Sequence, residues 1–166
     1  MLLHDELLAL AFSLSDSNKQ AYQRRSISTA YYALFHRLAH ESAFLFFPDP
    51  SDAPIYSATT RALDHRTMLN VCQGFAGLAL PKGPVRQLMG TVAIPEELSQ
   101  LSRYFVKLQG LRHISDYDVN ARFSATAAKE HCFEVKQAFA DLDKCQSTPA
   151  FRLFLGCLLF ANSWRT

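Results

Sequence analysis

The stretch from Ala21 to Glu41, AYQRRSISTAYYALFHRLAHE, decides the fold because it carries two different faces at helical spacing. With about 3.6 residues per turn, its apolar residues form one broad stripe, and its polar residues form a row beside that stripe. We predict a long central helix whose polar row either bonds to neighbouring helices or forms half of a site. The apolar stripe comprises Ala30, Tyr31, Leu34, Phe35 and Leu38, and the polar row comprises Arg25, Ser28, Tyr32 and His36.

The whole chain has an ordinary globular composition of 166 residues, 49% apolar and 19% charged. This length can bury a sizeable core, so we interpret residues 1–166 as a single domain. Thirteen Phe and six Tyr against only six Gly favour a helical core over a sandwich of strands and turns. The formal net charge of +2 indicates no overall field for polyanions, although it is compatible with a local basic patch.

Working outward from the central stretch, apolar spacings of three or four predict an all-α, up-and-down helical bundle of five or six helices. No Gly or Pro interrupts residues 18–47, and Pro48, Pro50 and Pro54 end the long helix. The helix at 149–164 either packs on the body of the protein or takes part in dimerisation. The other predicted helices cover residues 2–14, 55–73, 95 to about 120, and 125–144.

Residues 74–94 interrupt this helical pattern. They contain four glycines and two prolines, more than a helix interior tolerates. We predict a loop here, or a short helix between two loops. We also expect this segment to be the most mobile part of the chain and a candidate gate for a cleft.

Three features bear on where the protein works. The four cysteines form no CxxC pair and favour buried free thiols in a reducing compartment. The first residues, MLLHDELLALAFSL, lack the basic segment of a signal peptide, and the apolar stretch 151–161 is too short to span a bilayer. We therefore expect a cytoplasmic protein without a membrane partner. The cysteines are Cys72, Cys132, Cys145 and Cys157.

Metal binding and nucleophilic catalysis find little support. His36 and His40 stand four residues apart and could share a metal ion, but Arg37 occupies the place where the metalloprotease pattern needs Glu. Ser28 lacks a nucleophile elbow, and no phosphate loop of the Walker or Rossmann type occurs. The sequence thus predicts no metal site and no cofactor.

A second polar segment, residues 111–120 (LRHISDYDVN), holds one arginine, one histidine, two aspartates and a tyrosine. Arg112 and Asp116 share a helical face, so that the guanidinium and the carboxylate can pair. Charged residues at a helix end often form only a solvated cap. The alternative is that this face packs against the polar row of the central helix and forms a cleft for a phosphate or a base.

At these two places the sequence resembles the HEPN domain family, small helical bundles named from higher eukaryotes and prokaryotes nucleotide-binding domains. Residues 24–36, RRSISTAYYALFH, are similar to the S-x-A-Y-Y-A-x-F-H signature of its stand-alone bacterial branch. Residues 111–118, LRHISDYD, are similar to the R-x-x-x-D-Y signature, and residues 61–68, RALDHRTM, are a weaker similarity between them. Together these similarities cover roughly residues 20–120.

The resemblance implies a HEPN-like bundle that forms a homodimer, with the arginine motifs of the two subunits meeting across a two-fold axis. It also implies a metal-independent ribonuclease, a nucleotide- or RNA-binding module, or a toxin of a toxin–antitoxin pair with a nucleotidyltransferase partner. Nuclease members carry an Arg followed, after four to six residues, by a His. The Arg holds the phosphate and the His moves a proton. Arg112 matches the arginine, but Tyr117 stands five positions later.

Two functions follow from this pattern. We expect a HEPN-like module that binds a nucleotide, RNA or a partner protein without the usual ribonuclease activity. The alternative is a divergent, toxin-like ribonuclease in which Arg112 acts with His36, His113 or Tyr117, although a tyrosine loses its proton only well above neutral pH. The candidate binding residues are Arg112, Asp116, Tyr117, Ser28, Tyr32, His36 and Arg25.

Overall fold

A computed structural model describes residues 2–81 and 83–164 of the chain. Every regular element in these residues is helical, which confirms the predicted all-α class. The helices are α1 (Leu3–Ser15), α2 (Gln20–Phe46), a short 3₁₀ helix (Pro50–Asp52), α3 (Ala53–Ala62), α4 (His65–Phe75), α5 (Gly83–Met89), α6 (Glu96–Tyr117), α7 (Ala125–Cys145) and α8 (Pro149–Phe160).

The long helices follow the predicted apolar stripes. The central stretch lies within α2, and all five residues of its apolar stripe are buried. The stripes predicted for the helices that begin near residues 95 and 125 are buried as well. Burial of a continuous stripe is what holds each of these helices in place, because most of the stability of a helix in a protein comes from packing of its apolar face. The buried stripes of α6 and α7 are Leu98, Leu101, Phe105 and Leu108, and Ala128, Cys132, Val135, Phe139 and Leu142.

The described residues contain more helices than the five or six predicted, and the first reason is a break at Asp64. The predicted helix over residues 55–73 is two helices, α3 and α4, because Asp64 adopts an extended conformation between them. Its side chain accepts hydrogen bonds from the backbone N–H groups of Arg66 and Thr67, at 3.0 and 2.9 Å. An N-cap of this kind satisfies orphan donors at the start of α4 and ends the preceding helix.

The second reason lies in the glycine-rich segment, where a short helix, α5, forms between two loops. Of the two predicted alternatives for residues 74–94, the short helix between two loops is therefore the right one. At the start of this segment α4 ends at Phe75, and Gly77, two residues later, has a φ of 71° that is accessible mainly to glycine. The N–H of Leu78 bonds to the carbonyl of Gln73 at 2.9 Å, and that of Gly77 to Gly74 at 3.1 Å. These two bonds form a Schellman motif.

The chain folds into two compact units, and the first consists of residues 2–37 and 104–140. It contains α1 and parts of α2, α6 and α7. Tyr31 is fully buried here, with its ring centroid 5.5 Å from that of Phe105. The hydroxyl of Ser26 donates a 2.8 Å hydrogen bond to the carbonyl of Ala11, which ties α2 to α1.

The second unit consists of the described residues of 38–103 and 141–164. In it α4 packs against α8, and the rings of Phe75 and Phe154 meet edge to face with centroids 5.0 Å apart. The side-chain amide of Asn162 donates a 2.6 Å hydrogen bond to the hydroxyl of Thr67. Both contacts hold the C-terminal helix on the same unit as α4.

The apolar C-terminal stretch is largely buried in this second unit. Phe151, Phe154 and Leu158 are at most 2% exposed, whereas Phe160, at the end of α8, is 40% exposed. Through these buried side chains the C-terminal helix packs on the second unit and fills part of its core. No described helix is both long enough and apolar enough to cross a membrane.

All four cysteines are buried free thiols, as predicted. Burial raises the pKa of Cys145 to about 11 and that of Cys157 to about 12. The pKa values of Cys72 and Cys132 are raised for the same reason. The thiolate is the reactive form of cysteine, and burial disfavours it in these four core side chains.

Candidate functional site

Arg112 lies at the centre of the polar groups predicted from the sequence. Its Nη2 donates a 2.7 Å hydrogen bond to the hydroxyl of Tyr32, so that α6 is joined to α2. Its Nε lies 2.9 Å from Oδ2 of Asp116, one turn further along α6. The side chains of Arg112 and Asp116 are each 21% exposed. The predicted pairing of guanidinium and carboxylate is therefore present in a partly buried setting.

Asp116 also faces α2. Ser28, which is fully buried, donates a hydrogen bond of 3.3 Å from its hydroxyl to Oδ2 of Asp116. Ser28 and Tyr32 are one helical turn apart on α2, and Asp116 and Arg112 are one turn apart on α6. The earlier residue on α2 pairs with the later one on α6, so the two helices are antiparallel here. The two contacts fix the register of α2 against α6 in this unit.

Two aromatic rings lie against the Arg112 guanidinium. Its Cζ is 5.5 Å from the ring centroid of Tyr32 and 5.5 Å from that of Tyr117. Cation–π contacts at this distance contribute on the order of 0.5–1 kcal/mol each at exposed sites. Tyr117 is 63% exposed, and its ring also lies beside that of His113, with centroids 5.0 Å apart. We call Ser28, Tyr32, Arg112, Asp116 and Tyr117 the Arg112 cluster.

The surroundings of Arg112 keep its guanidinium protonated. Partial burial alone would lower the pKa of Arg112. The hydrogen bond to Tyr32 and the nearby Asp116 and Tyr117 act in the opposite direction, and the net pKa is raised from its ordinary value. The cluster therefore presents a permanent cation held in one orientation.

Several donors of that cation are unused. A guanidinium has five N–H groups, and the hydrogen bond to Tyr32 takes one of them. Nε is buried and lies 2.9 Å from the Asp116 carboxylate, so it belongs to the ion pair and is closed to a ligand. Within the described residues Nη1 makes no hydrogen bond either. Donors therefore remain for an incoming acceptor.

His36 and Arg25 belong to the polar row of α2 but not to this cluster. His36 is half-buried beside the ring of Phe35, with centroids 5.5 Å apart, and burial lowers its pKa from the ordinary 6.5. In the part of the chain that the structure describes, it forms no hydrogen bond with Arg112. Arg25 is exposed and lies near Asp116 at the edge of the site. The predicted residues are thus brought together in part.

The histidine pair of α2 does not come with a third metal ligand. Nδ1 of His40 is hydrogen-bonded to the Tyr56 hydroxyl at 2.5 Å, and the His40 ring stacks beside Phe44. Among residues 2–81 and 83–164 no group of three or more His, Cys, Asp or Glu side chains could hold a metal ion. His40 thus serves a packing and hydrogen-bonding role in the second unit.

Two residues that the sequence interpretation missed fix the chain next to the cluster. Arg24 donates from Nε to the carbonyl of Ser115 at 2.7 Å and from Nη1 to the carbonyl of Ala121 at 3.2 Å. Gln20 donates to the carbonyl of Phe123 at 2.6 Å and accepts from its N–H at 3.0 Å. We call these four bonds the clasp. The spacing of four residues from Gln20 to Arg24 and on to Ser28 was the available signal.

The comparisons with known proteins leave the site to be judged on its own geometry. No family model matches the chain, and neither a curated protein nor a solved structure gives a significant match. The features that carry a functional interpretation are therefore the fixed guanidinium of Arg112, its unused donors and the aromatic rings around it.

Proposed function

We propose that this protein is a HEPN-like module that binds a phosphate of a nucleotide or RNA at Arg112 without cutting it. The observation that carries the proposal is the guanidinium of Arg112, which the Tyr32 hydroxyl holds in place through Nη2 while the donors of Nη1 stay unused. Arginine suits this role because its planar fork matches the oxygens of a phosphate.

Preorganisation is the main advantage of the arrangement. Two contacts with Tyr32, one through its hydroxyl and one through its ring, restrict the Arg112 side chain before any ligand arrives. A free arginine would lose rotamer entropy on binding, whereas this one has already lost part of it. Asp116 offsets the attraction for an anion, so we expect moderate affinity that falls as salt concentration rises.

The exposed rings beside Arg112 support a nucleobase as part of the ligand. Tyr117 and His113 lie next to each other at the end of α6, and both are exposed. Stacking of a base on an aromatic side chain is worth about 1–3 kcal/mol and does not depend on which base is present. A ligand with a phosphate on Arg112 and a base on Tyr117 would use both features.

Binding is favoured over cleavage by the position of the histidines. A general base must lie within hydrogen-bonding reach of the proton that it takes. His36 makes no hydrogen bond to the Arg112 cluster within the described residues, and Tyr117 occupies the position five residues after Arg112. The arrangement therefore provides a held cation without a histidine at the position that the nuclease pattern requires.

Fluorescence anisotropy with short labelled RNAs of mixed sequence tests the proposal, with EDTA present throughout. The wild type is compared with Arg112→Ala and with Lys136→Ala, which removes one exposed positive charge from α7 of the same unit. Loss of a charge-assisted contact predicts about tenfold weaker binding for Arg112→Ala and little change for Lys136→Ala. Equal behaviour of the two variants would reject the proposal.

The same samples are run on a denaturing gel to look for cleavage. Intact RNA in the wild type agrees with a binding module. Cleavage in EDTA that disappears in both Arg112→Ala and His36→Ala would instead establish a metal-independent ribonuclease. In that case His36 would be the group that moves the proton.

Two further expectations come from the resemblance alone, namely a homodimer and a nucleotidyltransferase partner. Light scattering at micromolar concentration gives the oligomeric state directly. A monomeric mass at that concentration would argue against the homodimer and leave phosphate binding by one chain unaffected.

A further inference from the structure

An open groove of about 490 Å³ adjoins the Arg112 cluster in the first unit. One of its walls is formed by Asp116, which also pairs with Arg112, so the groove and the cluster share a carboxylate. We call it the arginine groove, because three of its lining residues are arginines. Its lining includes Gln20, Arg24, Arg25, Ser115, Asp116 and Arg122.

The positive charges of this groove are not neutralised by carboxylates. Within residues 2–81 and 83–164, none of Arg24, Arg25 and Arg122 forms an ion pair. Arg24 bonds to two carbonyl oxygens, and Arg122 donates from Nη1 to the carbonyls of Val119 and Ala121, at 3.1 Å each. Carbonyl oxygens satisfy donors but leave the full charge in place.

Two lysines of the same unit are compensated differently. Lys107 pairs with Glu134, and Lys129 pairs with Asp16 at 2.9 Å. The single carboxylate that lines the arginine groove, that of Asp116, is already shared with Arg112. Positive charge is thus concentrated in the groove although the whole chain has a net charge of only +2. A basic concavity of this kind attracts anions.

The groove is also fixed in shape. The clasp formed by Gln20 and Arg24 holds the chain between α6 and α7 against α2. Arg122 lies on that held segment, and Arg25 lies on α2. The two exposed guanidinium groups therefore project from backbone positions that are set before a ligand binds.

The arginine groove lies some distance along α2 from Arg112, where the proposed function places a phosphate. Arg25 precedes Tyr32 by seven residues, which is two helical turns or about 10 Å along the axis. Arg112 is bonded to Tyr32 at the far end of this span. This spacing is larger than one phosphate group, so a ligand with several phosphates suits both ends better than a single phosphate does.

From these observations we infer that the arginine groove is a second phosphate subsite, formed by Arg25 and Arg122, and that the ligand is a single-stranded oligonucleotide. A mononucleotide would fill only the position at Arg112. Nucleic acid provides the required row of phosphates together with bases for the exposed rings of Tyr117 and His113. This inference rests on the proposed function, because Arg112 provides the first subsite.

The test measures binding against ligand length. Labelled oligouridylates of two, four, eight and twelve nucleotides are titrated by anisotropy, with uridine monophosphate, a nucleoside triphosphate and polyglutamate as competitors. The proteins are the wild type, Arg25→Ala, Arg122→Ala, Arg112→Ala and the control Lys136→Ala. Circular dichroism first establishes that each variant is folded.

We expect Arg25→Ala and Arg122→Ala to weaken binding of the eight-nucleotide ligand about fivefold each, the size of one exposed charge contact. Binding of uridine monophosphate should not change in these two variants. Each should also reduce the slope of log K against log salt by about 0.7, as expected for one phosphate contact on a single strand. Arg112→Ala should weaken binding of every ligand.

Three results would overturn the inference. If Arg25→Ala and Arg122→Ala behave like Lys136→Ala while Arg112→Ala still weakens binding, the second subsite is wrong and the proposed function stands. If Arg112→Ala also behaves like Lys136→Ala, the proposed function fails and the inference fails with it. If the triphosphate or polyglutamate competes as well as the eight-nucleotide RNA, the groove does not select an oligonucleotide.

Discussion

The guanidinium of Arg112 and the hydroxyl of Tyr32 share a 2.7 Å hydrogen bond across a separation of 80 residues in the chain. The bond joins the two polar segments that the sequence pattern singles out, one on α2 and one on α6. Since the tyrosine oxygen accepts from a cation, Tyr32 acts here as an orienting group for Arg112.

Tyr32→Phe removes the hydroxyl and keeps the ring. A hydrogen bond to a charged, partly buried group is lost, so we expect the free energy of unfolding to fall by about 1 kcal/mol. Binding of RNA should weaken about threefold, because Arg112 becomes less ordered. Urea denaturation and anisotropy measure the two effects. Tyr22→Phe, at an exposed tyrosine of the same helix, is the control and should change neither.

Asp116→Asn removes the anion that competes with a bound phosphate for Arg112. We expect RNA binding at low salt to become about threefold tighter, since the local positive charge rises by one. Stability should fall by about 0.5–1 kcal/mol through loss of the ion pair. Asp118→Asn makes the same charge change two residues away at an exposed position. Equal tightening by both variants would mean that the general field, and not the Arg112 contact, is responsible.

Arg24→Ala breaks two bonds of the clasp. We expect a loss of about 2 kcal/mol in the free energy of unfolding, because the carbonyls of Ser115 and Ala121 lose a charged donor. Amide hydrogen exchange should become faster in residues 118–124. Arg25→Ala is the neighbouring control and should stay within about 0.5 kcal/mol of the wild type. A wild-type exchange pattern in Arg24→Ala would show that the clasp does not order this segment.

His36 gives the stability a defined dependence on pH. Burial lowers the pKa of His36 in the folded protein below the ordinary 6.5, so the unfolded chain binds the proton first as pH falls. Stability from this residue is therefore complete above pH 6.5 and is lost as pH falls from there through the folded pKa. Urea midpoints for His36→Gln should fall less steeply than wild type in this range. His113→Gln removes an exposed histidine of the same unit and serves as the control.

Asp64→Ala removes the N-cap of α4. Loss of a capping side chain typically costs about 1 kcal/mol, whereas Asp64→Asn keeps an acceptor and should cost only a few tenths. Urea denaturation of both variants tests this. Equal stability of Asp64→Ala and wild type would show that the hydrogen bonds to Arg66 and Thr67 contribute nothing net.

The helices that could be predicted are those in which apolar residues recur at helical spacing over several turns. α2, α6 and α7 each bury a stripe that is legible at helical spacing, and their ends lie close to the predicted ones. The break at Asp64 could not be predicted from period alone, because the apolar residues on both sides keep helical spacing. Only the preference of aspartate for N-cap positions pointed to it.

The site was predictable where side chains meet side chains. The spacing of Arg112 and Asp116 predicted their pairing, and the polar row of α2 predicted a partner such as Tyr32. The role of Arg24 could not be predicted, because it binds backbone carbonyls and these carry no sequence signal. A bond to the backbone depends on where the chain turns, which periodicity does not determine.

The clasp has a practical consequence for handling the protein. Gln20 and Arg24 lie on α2, and they bind Ala121 and Phe123, which follow the end of α6 in the chain. A protease that nicks the chain between Asp118 and Val119 would leave these bonds intact. The two fragments should then co-elute on a sizing column and separate only in denaturant, so an apparently intact sample needs a denaturing gel to reveal the cut.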